Sequence, residues 1–251
     1  MDNTKKFSGL ASNYTVGRPA YATEFIDSLY LQYGLSKQSI IADLGAGTGK
    51  LSRQLLERGS TIYCIEPNDD MRNTAIKELG MYNGFHAVNG TAADTKMDDN
   101  SVDFITTAQA FHWFEPLLFK KECRRILREN GLVFLIWNMR DLSCHVNRES
   151  FKIFSKYCPN FKGFCGGMQQ DDERIKKFFD NQYDYIEFDN PVIYDKNKFI
   201  SRSLSGSYTL KKGDAAYDDF MEALSQLFEQ YAENNTLTIA YKTVAYIGKI
   251  N

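Results

Sequence analysis

Residues 41–49, Ile-Ala-Asp-Leu-Gly-Ala-Gly-Thr-Gly, set three alternating glycines directly after an apolar run that ends in an acid. A helix-like segment, 50–59, follows at once. Glycines are needed where a backbone turns sharply and lies flat against a ligand, because a Cβ would occupy the ligand's place. The helix behind such a turn offers unpaired N–H groups and a positive dipole end to a negative group. The pattern therefore describes a nucleotide-type pocket. A dinucleotide turn wants Gly-x-Gly-x-x-Gly, and here the place of its third glycine is taken by Lys50. A second apolar run, 61–65, ends at Glu66, about 20 residues beyond the glycines, where an acid can hold ribose hydroxyls.

Two blocks carry a resemblance to a known family. Asp43-Leu44-Gly45-Ala46-Gly47-Thr48-Gly49 resembles the first motif of the class I S-adenosylmethionine-dependent methyltransferases, and Ile65-Glu66-Pro67-Asn68-Asp69-Asp70-Met71 their second. Gly90-Thr91-Ala92-Ala93 lies where that family contacts adenine, and 100–108 looks like its fourth strand with the usual lead-in. Gln109-Ala110-Phe111-His112-Trp113-Phe114 and the amino-terminal Tyr14…Arg18-Pro19-Ala20-Tyr21 are similar to a subgroup containing trans-aconitate-methyltransferase-like enzymes. The resemblance covers about residues 7–138. It implies a Rossmann-like α/β fold: a mostly parallel seven-stranded sheet with an antiparallel final strand, helices on both faces, and a helical cap. It also implies S-adenosyl-L-methionine as cofactor and S-adenosyl-L-homocysteine as product.

The same resemblance distributes roles. Tyr14 and Arg18 would close over the cofactor, with Arg18 near its carboxylate. Asp43, Gly45, Ala46, Gly47, Thr48 and Gly49 would shape the loop, and Glu66 would hold the ribose. Pro67, Met71, Thr91, Ala92 and Ala93 would surround the adenine. Gln109, Ala110, Phe111 and His112 would line the methionine end. Family members often carry an acid at Thr91 or Ala93; both are uncharged here, which leaves a hydroxyl and backbone groups for the adenine amino group.

Methyl transfer from a sulfonium needs little side-chain chemistry, since the donor already holds its leaving group. Alignment of bound reactants supplies about 7–11 kcal/mol, which explains an enzyme without a catalytic triad. His112, just beyond the fourth strand, is the candidate base, and the alternative is a histidine that only hydrogen-bonds its loop. Trp113, Arg140 and Tyr208 are the candidate acceptor contacts. Phe111 and Phe114 are read as packing or as site wall, and Arg148 and Arg202 as further polar contacts to the acceptor.

These residues need a scaffold, and the chain describes one. Strands at 39–44, 61–66, 85–89, 102–108 and 132–138 alternate with helical stretches at 22–33 and 118–128, which argues for a parallel sheet. The helix over 118–128 is expected to stop near Asn130-Gly131. Beyond 138 the alternation breaks. Residues 139–182 are aromatic-rich with glycine hinges at Gly163, Gly166 and Gly167, and strands are expected at 183–188 and 236–247 around a helix over 215–232. The reading is one domain over 1–251 with cap insertions at 139–182 and about 196–234. The cap aromatics are mostly an amphipathic packing face, or else the wall of a lid that dries the site on closing.

Composition narrows the function class. With 251 residues, 43% apolar content and a net charge of −2, the chain is expected to be a cytoplasmic enzyme without affinity for nucleic acid or membrane, as monomer or homodimer. The first residues lack the apolar core of a secretory signal. The five cysteines are irregularly spaced with no CxxC pair, so no metal is expected. Rivals are an NAD-dependent oxidoreductase, which lacks its third glycine, and a nucleic-acid methyltransferase, which would resemble Asn-Pro-Pro-Tyr where Ala108-Gln109-Ala110-Phe111 stands. A protein or lipid methyltransferase and a non-catalytic cofactor-binding module remain as alternatives to a small-molecule enzyme.

Overall fold

Four apolar strands, β1 (Ile40–Leu44), β2 (Thr61–Ile65), β3 (Phe85–Val88) and β4 (Val102–Ala108), form the parallel half of the sheet. The computed structural model describes residues 18–168 and 172–250. β5 (Leu127–Arg140) continues the parallel run beside β4. β6 (Asp184–Asp189), β7 (Val192–Tyr194), β8 (Leu237–Ile239) and β9 (Tyr241–Gly248) complete the strands among the described residues. The seven-stranded order is β3-β2-β1-β4-β5-β9-β6, with β9 antiparallel to both neighbours, and β7 pairs with β8 in a separate ribbon. This is the expected Rossmann-like architecture.

Helices cover both faces. α1 (Thr23–Gln32), α2 (Lys50–Glu57) and α3 (Asp69–Leu79) flank the first three strands. Phe25, Leu29, Leu51 and Leu55 pack on Ile41, Ile62, Phe134 and Ile136 on one side of the sheet. α4 (Pro116–Ile126) covers the other side, where Phe119, Cys123 and Ile126 meet Leu44, Val133, Leu135 and Trp137. β9 alternates between the two layers, Val244 and Tyr246 facing one and Ala245 and Ile247 the other. Such alternation is what a strand covered on both faces by side chains of period two must do.

Past β5, α5 (His145–Tyr157), α6 (Glu173–Phe178), α7 (Lys196–Leu204) and α8 (Tyr217–Tyr231) follow. α5, α7, α8 and the β7–β8 ribbon bury a core of their own around Phe154, Phe199, Phe220, Leu224 and Tyr241. α6 does not join it. Phe178 stacks on Phe119 at 5.0 Å, and Ile175, Phe178 and Phe179 sit in the main core. Only the first part of the expected 139–182 cap insertion therefore packs as a cap, because three apolar residues of its last turn are drawn to the sheet.

Two strand boundaries also differ from the sequence reading. Helix α4 ends at Ile126, and Leu127 is already extended and paired with Val102. Asn130-Gly131 is a bulge inside β5 rather than a helix stop: Asn130 has φ 66°, and a Cβ on Gly131 would lie 2.8 Å from the Asp103 carbonyl oxygen. The strand expected over 236–247 is interrupted between Ile239 and Tyr241, so its first part pairs with Val192–Tyr194 and its second enters the main sheet.

Candidate functional site

The glycine loop sits at the carboxyl end of β1, where ligands bind in open α/β sheets. Gly45, Gly47 and Gly49 all have positive φ, at 69°, 59° and 77°. The loop is anchored on both sides. The Gly45 N–H donates to the Ile65 carbonyl oxygen at 2.9 Å, and the Gly47 N–H donates to Glu66 Oε2 at 2.9 Å. Gly49 serves packing rather than ligand approach, since a Cβ there would stand 2.4 Å from Leu79 Cδ1. Below the loop, Asp43 is buried and accepts from Ser52 Oγ at 2.6 Å and Thr106 Oγ1 at 2.9 Å, which ties β1 to α2 and β4. Burial pushes its carboxyl up to about 6.

Glu66 ends β2 with both carboxylate oxygens fixed. Oε2 takes the Gly47 N–H and Oε1 takes the Asn68 N–H, each at 2.9 Å. Each oxygen accepts one backbone hydrogen and keeps a second lone pair. Burial raises the carboxyl above its usual range, opposed by those two N–H groups and by Arg72. Asn68 caps α3 by accepting the Met71 N–H at 3.0 Å. Glu66 therefore joins the glycine loop to the start of α3.

These groups wall a cavity of about 240 Å³. Gly45, Gly47 and Glu66 form one side, Pro67, Met71, Thr91, Ala92 and Ala93 a second, and Gln109, Ala110, Trp113 and Phe114 a third. The Thr91 hydroxyl accepts the Asp94 N–H at 3.1 Å, closing a small turn over the cavity. Gln109 has φ 59° and donates Nε2 to the Asn138 carbonyl oxygen at 3.3 Å. Ala46 and Thr48 lie on the outer side of the loop, where with Asp43, Arg18 and Lys50 they border a small crevice of about 30 Å³. Lys50 Nζ donates to the Arg18 carbonyl oxygen at 2.7 Å, which holds that arginine's backbone beside the loop.

Beyond Gln109 and Trp113 lies a second cavity of about 660 Å³, bordered by the same two residues and by Arg18, His112, Lys162, Arg202 and Tyr208. Gly166 stands against the His112 ring, with room for no Cβ: one would lie 2.7 Å from its Cδ2. Burial, with Arg18 and Arg174 nearby, pushes the His112 imidazole down to about 4, so it is neutral at physiological pH. Arg202 and Arg140 both face the Tyr241 ring, at 6.0 and 5.8 Å from its centroid, and Arg140 also lies 4.4 Å over Phe164. Burial alone would raise the Tyr241 phenol, yet Arg140 and Arg202 hold it below its usual range.

Most of the residues singled out in the sequence converge on these two cavities, with exceptions. Phe111 is turned away from them: it is 1% exposed and packs on Phe119, Trp137 and Phe178 in the main core, while Trp113 and Phe114 of the same run face the cavity. Arg140 borders a neighbouring hollow with Phe164 and Cys165 rather than the 660 Å³ cavity itself. Arg148 donates to the Leu142 and Ser143 carbonyls and belongs to its own loop. Tyr14 lies outside the described residues. Sequence reasoning missed Asn138, whose side chain donates to the Ala20 carbonyl at 3.0 Å and accepts from Thr243 at 2.6 Å. Its signal was available, since it is a polar residue ending an apolar strand, as Glu66 is. Among the described residues no group of three or more His, Cys, Asp or Glu side chains could hold a metal, and no helix is long and apolar enough to cross a membrane.

Residues 42–135 match the family model of a methyltransferase domain. An uncharacterized methyltransferase of Mycobacterium tuberculosis is 38% identical over 140 residues, 56% of this chain and 55% of its own length. An uncharacterized methyltransferase-like protein of Schizosaccharomyces pombe is 30% identical over 154 residues, 61% of this chain and 59% of its own. The matched part thus spans little more than half of these relatives. Among solved structures, a proposed type II methyltransferase from Anaeromyxobacter dehalogenans covers 93% of this chain and 98% of its own, with a TM-score of 0.65 at 17% identity. A proposed methyltransferase from an antibiotic biosynthesis pathway of Anabaena variabilis covers 92% and 98%, with a TM-score of 0.63 at 21% identity. These structural likenesses concern the fold.

Proposed function

We infer that this chain, whose residues 42–135 match the model of a methyltransferase domain, is a class I S-adenosylmethionine-dependent methyltransferase that transfers a methyl group from S-adenosyl-L-methionine to a small-molecule acceptor. The observation that carries this reading is the Glu66 carboxylate, pinned by two backbone N–H groups on the wall of the 240 Å³ cavity. The cavity residues fit the cofactor. A fixed carboxylate suits vicinal ribose hydroxyls, Met71, Pro67 and Ala92 offer an apolar slot for a flat base, and Trp113 and Phe114 offer aromatic faces to a sulfonium. When bound, the cofactor supplies an activated methyl on a sulfonium whose thioether is the leaving group.

The protein's own part is positioning and drying. Gln109 and Trp113 border both cavities, so they stand between a donor and an acceptor bound in the two. The aromatic body of the 3-10 turn and the Phe164–Gly167 segment wall the acceptor side, consistent with a cap that excludes water. A neutral His112 with its imidazole near 4 is a weak base, which favours alignment over proton abstraction. Isothermal titration with S-adenosylmethionine and S-adenosylhomocysteine tests the reading. Micromolar binding of both supports it. Absence of binding to either overturns it, and binding without turnover on any acceptor reduces the chain to a cofactor-binding module.

A further inference from the structure

The 660 Å³ cavity is bordered by the cationic side chains Arg18, Lys162 and Arg202, while no aspartate or glutamate is among its described lining residues. Arg202 is not alone there. Arg140, 7% exposed, stands on the same Tyr241 ring from the far side of Cys165. Neither arginine forms an ion pair with a carboxylate of the described residues, and Arg140 Nε and Nη1 and Arg202 Nε are buried without a hydrogen-bond acceptor among them. Arg202 Nη1 donates to the Ser205 hydroxyl at 3.3 Å, and the phenols of Tyr194, Tyr208 and Tyr241 and the Cys165 thiol stand around the rest of the side chain.

Burying a guanidinium with no carboxylate beside it and part of its N–H fork unsatisfied is costly, and arginine cannot escape by losing its proton. Two of them placed together without an acid is a demand for negative charge that the described protein does not meet. The usual answer to such a demand is a planar or tetrahedral oxyanion, which the guanidinium fork grips with two parallel hydrogen bonds. Arg202 borders both the large cavity and the crevice at the glycine loop, so an anion held there lies beside the donor cavity. Ser207 and Tyr208 add hydroxyl groups on the same wall.

We propose that this cavity is an oxyanion site, and that the acceptor carries a carboxylate or phosphate group held by Arg202 with Arg140 behind it. The identification as an acceptor site rests on the methyltransferase reading; the oxyanion site itself does not. The test is equilibrium titration of the wild-type protein, followed by the fluorescence of Trp113 in the cavity wall, with inorganic phosphate, glutarate and the neutral isostere glutaramide. Saturable binding of an anion at least tenfold tighter than glutaramide is expected, weakened tenfold or more in Arg202→Gln and partly recovered in Arg202→Lys. Preference for phosphate assigns a phosphate ester and preference for glutarate a carboxylate. Equal binding of glutarate and glutaramide, or no saturable anion binding in the wild type, overturns the proposal without recourse to a variant. A titration of the same sample with S-adenosylhomocysteine keeps failure of the methyltransferase reading separate.

Discussion

Glu66→Gln is the change that most directly probes the donor site. The carboxylate serves two backbone donors, Gly47 N–H and Asn68 N–H, each at 2.9 Å. A glutamine of the same length has one carbonyl oxygen and an NH₂ group, so one of those N–H groups would face a donor. Leaving one buried donor unsatisfied costs about 1–3 kcal/mol, and this loss falls on the free protein. The remaining lone pairs are the ones proposed to take two ribose hydroxyls. A hydrogen bond to a charged group contributes roughly 1 kcal/mol more than a neutral one, so two of them amount to about 2 kcal/mol. That corresponds to roughly thirtyfold weaker binding of S-adenosylmethionine. Titration calorimetry reads the affinity, and thermal denaturation of the unliganded variant reads the first term. An affinity within threefold of wild type, in a variant that still melts cooperatively, would refute the assignment of the ribose to Glu66.

Three further changes have defined outcomes. Asp43 has its folded carboxyl raised from 3.8 to about 6, so the native state binds the proton more tightly and this group's contribution to stability falls as pH rises from about 4 to about 6. The change is about 3 kcal/mol, and urea unfolding of Asp43→Asn at pH 4 and pH 7 is expected to lack it, since the Ser52 and Thr106 hydroxyls can turn to serve an amide. Gly49→Ala places a Cβ 2.4 Å from Leu79 Cδ1 at φ 77°, and a loss of about 2–3 kcal/mol should lower the melting temperature by roughly 5–10 °C; an unchanged melt would contradict the packing described. His112→Asn is expected to change the rate less than tenfold, and the wild-type kcat/KM profile should show no inflection near 6.5, because the imidazole titrates at about 4. A pronounced inflection there would restore His112 as a base.

The glycine loop and its acid partner were legible because their demands are local. Alternating glycines after β1 and an acid ending β2 each follow from the backbone geometry of one turn, and Gly45, Gly47 and Glu66 come together at the cavity as those turns require. The central strand over 132–138 was legible as a continuous apolar run because a strand covered on both faces needs apolar side chains on each. What was not legible depends on contacts distant in sequence. Asn130-Gly131 carries the signature of a helix end, but its purpose is to bring β5 against the Asp103 carbonyl of β4. The break at Ala240 follows from two different partners, Val192–Tyr194 and β5, that compete for adjoining residues. Phe111 shares a short aromatic run with Trp113 and Phe114, and only the 3-10 turn decides which rings face the core. Arg202 was one polar residue among many until the fold set it beside Arg140, 62 residues earlier in the chain, on the face of one tyrosine.

Asn138 gives the molecule a property that no single element has. Its side chain holds the Ala20 carbonyl and, with Asn190, the Thr243 hydroxyl, while its backbone oxygen receives both Gln109 Nε2 and the Cys165 thiol at 3.3 Å. The chain ahead of α1, the turn after β4, the Phe164–Gly167 segment and β9 thus share one junction. Residues with common partners do not contribute independently. Substitutions at Asn138 and Asn190 will therefore fail to add, and in a background lacking the Asn138 side chain the effect of Asn190 should shrink to its bonds with the Ala20 carbonyl and the Thr243 hydroxyl. The turn after β4 and the Phe164–Gly167 segment are, in this sense, energetically coupled through one carbonyl.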